Sequence, residues 1–260
     1  MTTFAYVAGD FLRRLLPVVL LVAVWWVLVW ALDVPSRLMP SPPEVGQRIY
    51  DGLIVTGDLW PHLWATVKAT LLGFAAGGGL AIVVGSLLAM SRPLELLTYP
   101  IVVLIQSVPK VSVAPLILLW AGFDIRSTVI LVALICFFPI FVGTFVGVRS
   151  APSVLLDLFS TMKAGRFATF LHCNLPYAAG SIFAGMEVGW GFALVGCVVM
   201  EFVTGVSGAG FLIQNSANNL DAQTAVASMV LLGVMGFIGG ALMQQAKRRL
   251  VFWEGKGRHG

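Results

Sequence analysis

Three ionisable side chains, Lys110, Glu187 and Glu201, stand inside long apolar runs of the sequence. An ionisable residue in a membrane-spanning segment costs roughly 2.5–3.5 kcal/mol on insertion scales, so each is a candidate for a functional role. Lys110 stands in "QSVPKVSVAP", where Pro109 and Pro115 each remove a backbone donor and weaken a helix. A broken helix with freed carbonyls and one cation suits a water-lined pathway better than a lipid-facing surface.

This segment therefore predicts part of a route for a solute. The hypothesis is that Gln106, Ser107 and Lys110 line the route, and that Lys110 favours anionic solutes. The alternative is that Lys110 forms a structural ion pair with Glu201 or Glu187. Glu201, near the end of its apolar run, is included in the pathway as a gate residue or structural partner rather than as a ligand.

The string Gly205-Val206-Ser207-Gly208 has the GxSG form found in intramembrane serine proteases. Such chemistry needs a general base within hydrogen-bond reach of the serine, but all three histidines of the chain fall outside the predicted spans. The cysteines are far apart in sequence, with no CxxC and no mixed Cys/His cluster. The sequence thus predicts no catalytic residue, no metal site and no disulfide framework.

The composition requires a membrane around the helices that carry these charges. The 260 residues are 58% hydrophobic and 11% charged, with a mean hydropathy of +0.93, which is outside the range of soluble domains. The net charge of +4 comes from scattered basic residues, a placement that indicates membrane topology rather than nucleic-acid binding. A hydrocarbon core of about 30 Å needs roughly 20 apolar residues per helix. This rule predicts an all-α polytopic membrane protein, a single domain over 1–260 with six spans near 15–32, 66–90, 96–121, 127–148, 181–204 and 226–246.

The basic residues also predict an orientation. If the N-terminus is cytoplasmic, the inside segments hold eleven of the sixteen Lys and Arg residues. These are Arg13, Arg14, Arg92, Arg149, Lys163, Arg166, Lys247, Arg248, Arg249, Lys256 and Arg258. The positive-inside rule then places both termini, and a long loop near 149–180, on the cytoplasmic side of the plasma membrane.

This loop changes from uniformly apolar to amphipathic. Apolar residues recur at helical spacing after Pro152, a helix-initiating residue, and a turn is expected at Ala164-Gly165 before a second helix enters the fifth span. The apolar stripe consists of Val154, Leu155, Leu158, Phe159 and Met162. It fits a packed interhelical loop or, equally, a helix that binds in a groove of a partner protein.

The segment "DLFSTMKAGRFATFLHCNLP", Asp157 to Pro176, resembles the cytoplasmic coupling loop of the membrane subunits of bacterial ABC importers. The family pattern is Glu-Ala-Ala, three residues, Gly, nine residues, an aliphatic residue, one more, then Leu-Pro. By this resemblance Asp157 takes the Glu position, Leu158 and Phe159 the Ala positions, Lys163 the Gly position, Cys173 the aliphatic position, and Leu175-Pro176 the ending. Since glycine normally permits the turn, Gly165 is expected to take over that role beside Arg166.

The resemblance extends to "YPIVVLIQSVPKVSVAPLILLWAGF", "FFPIFVGTFVGVRS", "GCVVMEFV…GAGFLIQNSANNLD" and "MPSPPEV", which are similar to the nitrate, sulfonate and taurine branch of these permeases. It implies that two permease copies form the pathway, that a cytoplasmic ATPase dimer docks on the loop, and that an extracytoplasmic binding protein delivers the solute. The solute class implied is nitrate, taurine or a sulfonate, or alternatively a neutral or aromatic vitamin precursor.

The energy source is expected to lie outside the chain. The sequence has no Walker A pattern, so ATP and Mg²⁺ are expected on the partner subunit and no cofactor on this chain. A stand-alone secondary transporter is the rival interpretation, since prolines in a span also fit a half-helix around a midplane site. The halves 1–125 and 126–260 show no convincing similarity, which favours the importer permease.

Overall fold

The structure is a computed structural model that describes residues 2–253, with the side chains of residues 16–253 except for several between 92 and 106. Within this range every regular element is helical, which confirms the all-α prediction. The helices are α1 Thr2–Ala31, α2 Pro42–Tyr50, α3 Leu59–Ala89, α4 Arg92–Ser107, α5 Ala114–Ala121, α6 Ile125–Arg149, α7 Ser153–Thr161, α8 Arg166–Thr169, α9 Leu175–Thr204, α10 Ala209–Asn218 and α11 Ala222–Leu250.

Four helical stretches of the described chain are long and apolar enough to cross a membrane. They are Leu59–Ala89, Ile125–Arg149, Arg166–Thr204 and Ala222–Leu250, which match the second, fourth, fifth and sixth predicted spans. The other two predicted spans correspond to shorter apolar stretches, Leu16–Ala31 and Lys110–Ala121. The third predicted span is divided between α4 and α5.

The core lies where α6 packs between α3 and α9. Its buried side chains include Phe141 and Ile140 from α6, Phe74 from α3 and Trp190 from α9. The glycine spacing of α3 allows close approach, because a Cβ at Gly77 would lie 2.5 Å from the Ala133 carbonyl oxygen of α6. Gly73 and Gly77, which have GxxxG spacing, therefore mark a close contact between α3 and α6.

The connections gather at two ends of the bundle. The coupling end comprises residues 90–91, 150–174 and 251–253, and it is tied by hydrogen bonds from Asn174 Nδ2 to the Val148 carbonyl and from Trp253 Nε1 to the Pro176 carbonyl. The distal end comprises residues 32–58, 122–124 and 205–221. Helices α3, α6, α9 and α11 each run between these ends.

Candidate functional site

The α-helix is interrupted between α4 and α5, although the chain continues. Helix α4 ends at Ser107, Pro109 is extended with φ −61° and ψ 101°, and a single 3₁₀ turn, Lys110–Val113, leads into α5. Proline lacks the amide donor and disfavours a helical conformation at the residue before it, so α4 ends at Ser107, two residues before Pro109. The sequence predicted this weakness from the two prolines.

A cavity of about 840 Å³ opens beside the interruption. Its lining is apolar except for Lys110 and Ser181, and Lys110 is the single ionisable side chain among the described residues that line it. The lining residues are Val108, Pro109, Lys110, Val111, Ile135, Phe138, Pro139, Val142, Gly143, Val146, Ser181, Ala184, Gly185, Val188, Phe192 and Val195. The cavity thus combines one cationic group with a large apolar surface.

The ammonium group of Lys110 is held by an aromatic ring. Its Nζ lies 5.7 Å from the centroid of the Phe138 ring, which is within the range of a cation–π interaction. Phe138 stands one residue before Pro139 on α6, and both residues line the cavity. A ring leaves the N–H donors of the ammonium group available to an anion, because it offers no lone pair.

The other residues predicted for the pathway are placed differently. Ser107 is exposed at the last position of α4, and the side chain of Gln106 lies outside the described residues. Glu201 does not line this cavity; it lines a separate cavity of about 170 Å³ at the distal end. Glu187 is exposed on α9. The structure therefore brings Lys110, but not Glu201, to the large cavity.

The Glu201 carboxylate is buried, with 3% of the residue exposed. Its oxygens accept hydrogen bonds from Thr66 Oγ1 at 2.7 Å and from the Gly210 backbone N–H at 2.8 Å. The Cys197 thiol lies 3.4 Å from the same carboxylate. These donors, rather than Lys110, are the partners that the structure gives Glu201, in contrast to the alternative in which Lys110 pairs with Glu201.

Sequence reasoning missed two residues of this network on α3. Thr66 Oγ1 also accepts from the Ala209 N–H at 2.8 Å, and His62 Nδ1 accepts from the Gly208 N–H at 3.2 Å. The two positions are four residues apart and so share one face of the helix. In the sequence, only this spacing of two polar residues could have indicated a shared polar face. Since His62 Nδ1 bonds to a backbone amide of the GxSG string, it is engaged in structure rather than in serine activation.

The distal end has a second polar group on its surface. Arg48 Nη2 is paired with Asp58 Oδ2 at 2.7 Å, and Arg48 Nε donates to Thr224 Oγ1 at 2.8 Å. The hydrogen bond from Arg48 holds the pKa of the Asp58 carboxyl below its ordinary value. Arg48 therefore connects α2 to the starts of α3 and α11.

The predicted amphipathic loop forms a helix, a turn and a second helix at the coupling end. Helices α7 and α8 have no buried residue. In α7, Val154 is 75% exposed and Leu158 53% exposed, and Met162 at its end is 72% exposed. Asp157 is exposed between them. Phe159 is partly buried, but the other four residues of the predicted stripe are exposed, which argues against a packed interhelical loop.

The turn between these helices corrects one prediction. Lys163 has φ 53°, in the left-handed region, whereas Gly165 has φ −66° and ψ 156° and begins α8 as its N-cap. The expectation that Gly165 takes over the glycine turn was wrong. The turn stays at position 163, where a lysine adopts the conformation that favours glycine. Arg166, next to Gly165, is exposed.

The loop joins α9 without a break in helical structure. A π turn, Phe170–Asn174, leads from α8 into α9, and Leu175 and Pro176 are the first residues of α9. Pro176 has no N–H, so a regular α-helical bond cannot form there and the wider turn precedes it. Leu175 and Phe170 pack on the buried side chains of Val148, Ala178 and Ile182. The base of the loop is therefore fixed to α6 and α9.

Comparison with known proteins gives consistent matches. The sequence model of a family described as "Binding-protein-dependent transport system inner membrane component" matches residues 77–252. The putative aliphatic sulfonates transport permease protein SsuC of Bacillus subtilis is 30% identical over 92% of this chain and 86% of that protein. The riboflavin transport system permease protein RibX of Chloroflexus aurantiacus is 35% identical, over 90% and 87%. The taurine transport system permease protein TauC of Escherichia coli is 25% identical, over 91% and 87%.

A solved structure of the MetNI methionine ABC transporter in inward facing conformations has a similar fold. The TM-score is 0.64 at 19% sequence identity, over 74% of this chain and 94% of that chain.

Proposed function

The chain belongs to the family of binding-protein-dependent transport system inner membrane components, as a permease subunit of an ABC importer, and we propose that two copies form the pathway for a small organic anion. It is a multi-pass inner-membrane protein and a transport subunit rather than an enzyme, since ATP hydrolysis in this family belongs to a separate ATPase subunit. The proposed pathway passes through the cavity at Lys110, as part of a single transmembrane domain over 1–260.

The observation that carries this proposal is the position of Lys110 in an apolar cavity of about 840 Å³. A cation in a low-dielectric surrounding attracts an anion more strongly than it would in water. The apolar lining favours a solute with an apolar body, such as an alkanesulfonate, over nitrate, which has no apolar surface to bury. SsuC of Bacillus subtilis is named as a putative permease for aliphatic sulfonates, and TauC of Escherichia coli as a permease for taurine.

The open side of the cavity supports a dimer. Val146, Val188, Phe192 and Val195, which line it, are each about half exposed, between 49% and 55%. One chain therefore does not enclose the cavity. A second copy of the permease across this side would complete a pathway that also includes Gln106 and Ser107, at the end of α4.

Replacement of Lys110 tests the anion proposal. We expect Lys110→Met to lower uptake of butanesulfonate at least tenfold in proteoliposomes that contain the assembled importer, and Lys110→Arg to retain most of it. Lys68→Met is the matched control, because Lys68 is exposed on α3 and does not line the cavity. Uptake by Lys110→Met within twofold of wild type, with normal assembly, would exclude Lys110 as the anion-selective group.

A neutral or aromatic vitamin precursor is the second candidate solute, favoured by the 35% identity to the riboflavin permease RibX. The same variant separates the two candidates. If the importer carries a neutral aromatic solute, Lys110→Met retains uptake of that solute, since its binding does not depend on the charge.

We also propose that the coupling end is the docking site for cytoplasmic ATP-binding subunits. The proposed contact residues are Asp157, Leu158, Phe159, Lys163, Gly165, Arg166, Leu175 and Pro176. Exposed apolar side chains on α7 support a partner, because an apolar surface rimmed by charges is typical of a protein–protein contact. Basic residues at this end, including Lys163, Arg166 and Arg248, support a cytoplasmic location by the positive-inside rule. Lys256 and Arg258 lie outside the described residues.

Co-purification with the ATPase subunit tests this docking proposal. Asp157→Arg should reduce the amount of ATPase retained at least tenfold, because it reverses a charge in the middle of the exposed surface. Asp157→Glu, which restores the acid of the family pattern, is the control and should retain the ATPase. In this proposal ATP and Mg²⁺ bind to the partner, no cofactor binds to this chain, and an extracytoplasmic solute-binding protein delivers solute at the distal end.

A further inference from the structure

Three consecutive backbone amides at the start of α10 are each bonded to a side chain from a membrane-spanning helix. The N–H of Gly208 donates to His62, that of Ala209 to Thr66, and that of Gly210 to Glu201. The first N–H groups of a helix have no partner within the helix, so they are available for such contacts. We define these bonds, which join α10 to α3 and α9, as the α10 clamp.

The glycines of the clamp allow the start of α10 to approach Glu201 closely. A Cβ at Gly208 would collide with the Glu201 carboxylate, and a Cβ at Gly210 would lie 2.9 Å from Glu201 Oε2. Gly208 also has φ 110°, which side chains rarely adopt. The Phe211 ring, one residue further, stacks on His62 with centroids 5.5 Å apart. The start of α10 is therefore fixed by polar and aromatic contacts together.

The clamp explains why a carboxylate is buried at this depth. An unpaired buried charge is costly, but Glu201 receives hydrogen bonds from Thr66 and Gly210 and faces the positive end of the α10 dipole. Removal of the carboxylate would leave a buried amide and a buried hydroxyl without this acceptor, which is unfavourable away from water. Glu201 thus joins α10 to α9 through the hydrogen bonds that its oxygens accept.

Glu201 also stands at one end of a continuous helical rod. Helical structure runs from Arg166 to Thr204 over 39 residues, a length of about 58 Å at 1.5 Å per residue. The rod begins in the loop proposed to dock the ATPase and ends three residues after Glu201. A displacement of the coupling end that moved this stretch as a unit would also move Glu201 and the clamp.

We propose that Glu201 is a positioning residue that makes α10 follow α9, so that movement imposed on the coupling loop by the ATPase reaches the distal end. This role rests on the proposed function for its energy source, but the clamp itself belongs to this chain. Thr66 and His62 extend the same connection to α3.

Distance measurement between spin labels tests the clamp in the permease itself. One label is placed on α10 at Ala217→Cys and the other on α9 at Glu187→Cys, both exposed positions. With the labelled chain diluted in unlabelled permease, so that only the distance within one chain is measured, we expect a narrow distance in the otherwise wild-type chain, unchanged when the assembled complex binds ATP. Glu201→Ala should broaden this distance, and Glu201→Gln should retain it, because the amide oxygen still accepts from Gly210. A distribution in Glu201→Ala as narrow as in wild type overturns the proposal.

Solute-stimulated ATP hydrolysis in lipid discs tests the coupling. We expect Glu201→Ala to lower the ratio of stimulated to unstimulated hydrolysis at least tenfold, and Glu201→Gln to stay within threefold of wild type. Glu187→Ala, which removes the exposed carboxylate on the same helix, is the control. An unchanged ratio in Glu201→Ala, or equal loss in Glu201→Gln, contradicts the coupling role.

Two further outcomes separate this inference from the proposed function. If the wild-type chain retains no ATPase, the proposed function fails, while the label distance still decides whether the clamp fixes α10. If Glu201→Ala does not fold, Thr66→Val replaces it, since it removes the acceptor of the Ala209 N–H and the hydroxyl that contacts Glu201 and the His62 carbonyl. Thr66→Val must then broaden the distance, and a narrow distance overturns the clamp.

Discussion

The two ends of the bundle differ in what they bury: the distal end buries a hydrogen-bonded carboxyl group, whereas the coupling end exposes apolar side chains. At the distal end, Glu201 is buried and its oxygens are bonded to Thr66 and Gly210 of the same chain. At the coupling end, α7 has no buried residue and exposes large apolar side chains such as Val154 and Met162. The buried carboxyl group of the distal end therefore has its hydrogen-bond partners within one chain. The coupling end leaves apolar surface that a partner must cover if it is to be removed from water.

A charged residue introduced at the end of α7 should have the largest effect, which is a loss of ATPase binding at the coupling end. We expect Met162→Glu to reduce co-purification of the ATPase at least tenfold, because a desolvated carboxylate without a partner is costly in an apolar contact. The unfolding temperature of the permease alone should change little, since Met162 is 72% exposed.

The matched control for that charge is Ile54→Glu at the distal end, where Ile54 is 67% exposed and lies outside the spans. It introduces the same group on a surface not proposed to meet the ATPase, and it should leave co-purification unchanged. Equal loss of the ATPase in both variants would show that the effect is not local to α7.

A methyl group at Gly208 tests whether the distal end is as tightly determined as its bonds indicate. Gly208→Ala should destabilise the permease by about 3 kcal/mol or more, from the strained backbone and the collision with Glu201. Gly205→Ala is the control: its φ is 62°, but nothing lies near its Cβ position, so it should cost only about 1 kcal/mol. Thermal unfolding in detergent compares them, and similar losses would argue against the clamp geometry.

The surface ion pair at the distal end should contribute less than the buried network. Arg48→Met should cost about 0.2–1 kcal/mol, because Asp58 is 51% exposed and the pair is screened by solvent. Since Arg48 lowers the pKa of Asp58, the contribution is present above the ordinary value of 3.8 and is lost as the pH falls through the folded-state pKa. The difference in unfolding temperature between wild type and Arg48→Met should therefore shrink from pH 7 to pH 3. A constant difference would exclude the ionised carboxyl as its source.

The sequence predicted the features that arise from local chemistry. Proline predicted the interruption before Lys110, because a missing donor acts wherever the residue stands. Apolar spacing predicted α7 but left open whether its stripe is packed or exposed, and hydropathy predicted spans that α3, α6, α9 and α11 match.

The clamp could not be predicted in this way. Thr66 and the Ala209 amide are 143 residues apart in sequence, and the bond between them follows from how α3, α9 and α10 pack. Thr66 was the first residue of a predicted span and His62 preceded it, so neither was recognised as a polar contact of a spanning helix. The spacing of the two residues becomes informative only when the structure places the glycines of α10 opposite them.

The smallest expected effect concerns the turn between α7 and α8, where local sequence was misleading. Lys163 pays a conformational cost at φ 53°, whereas Gly165 lies in a region open to any residue and has no neighbour near its Cβ position. Lys163→Gly should therefore raise the stability of the permease by up to about 1 kcal/mol, and Gly165→Ala should leave it unchanged or raise it slightly. Thermal unfolding measures both. If Gly165→Ala were the destabilising change, the turn would lie at Gly165 as the sequence first indicated. The expected pattern instead means that this chain keeps the turn at the position of the family glycine. The lysine at this position then lowers the stability of the coupling end, which is the end proposed to bind the ATPase.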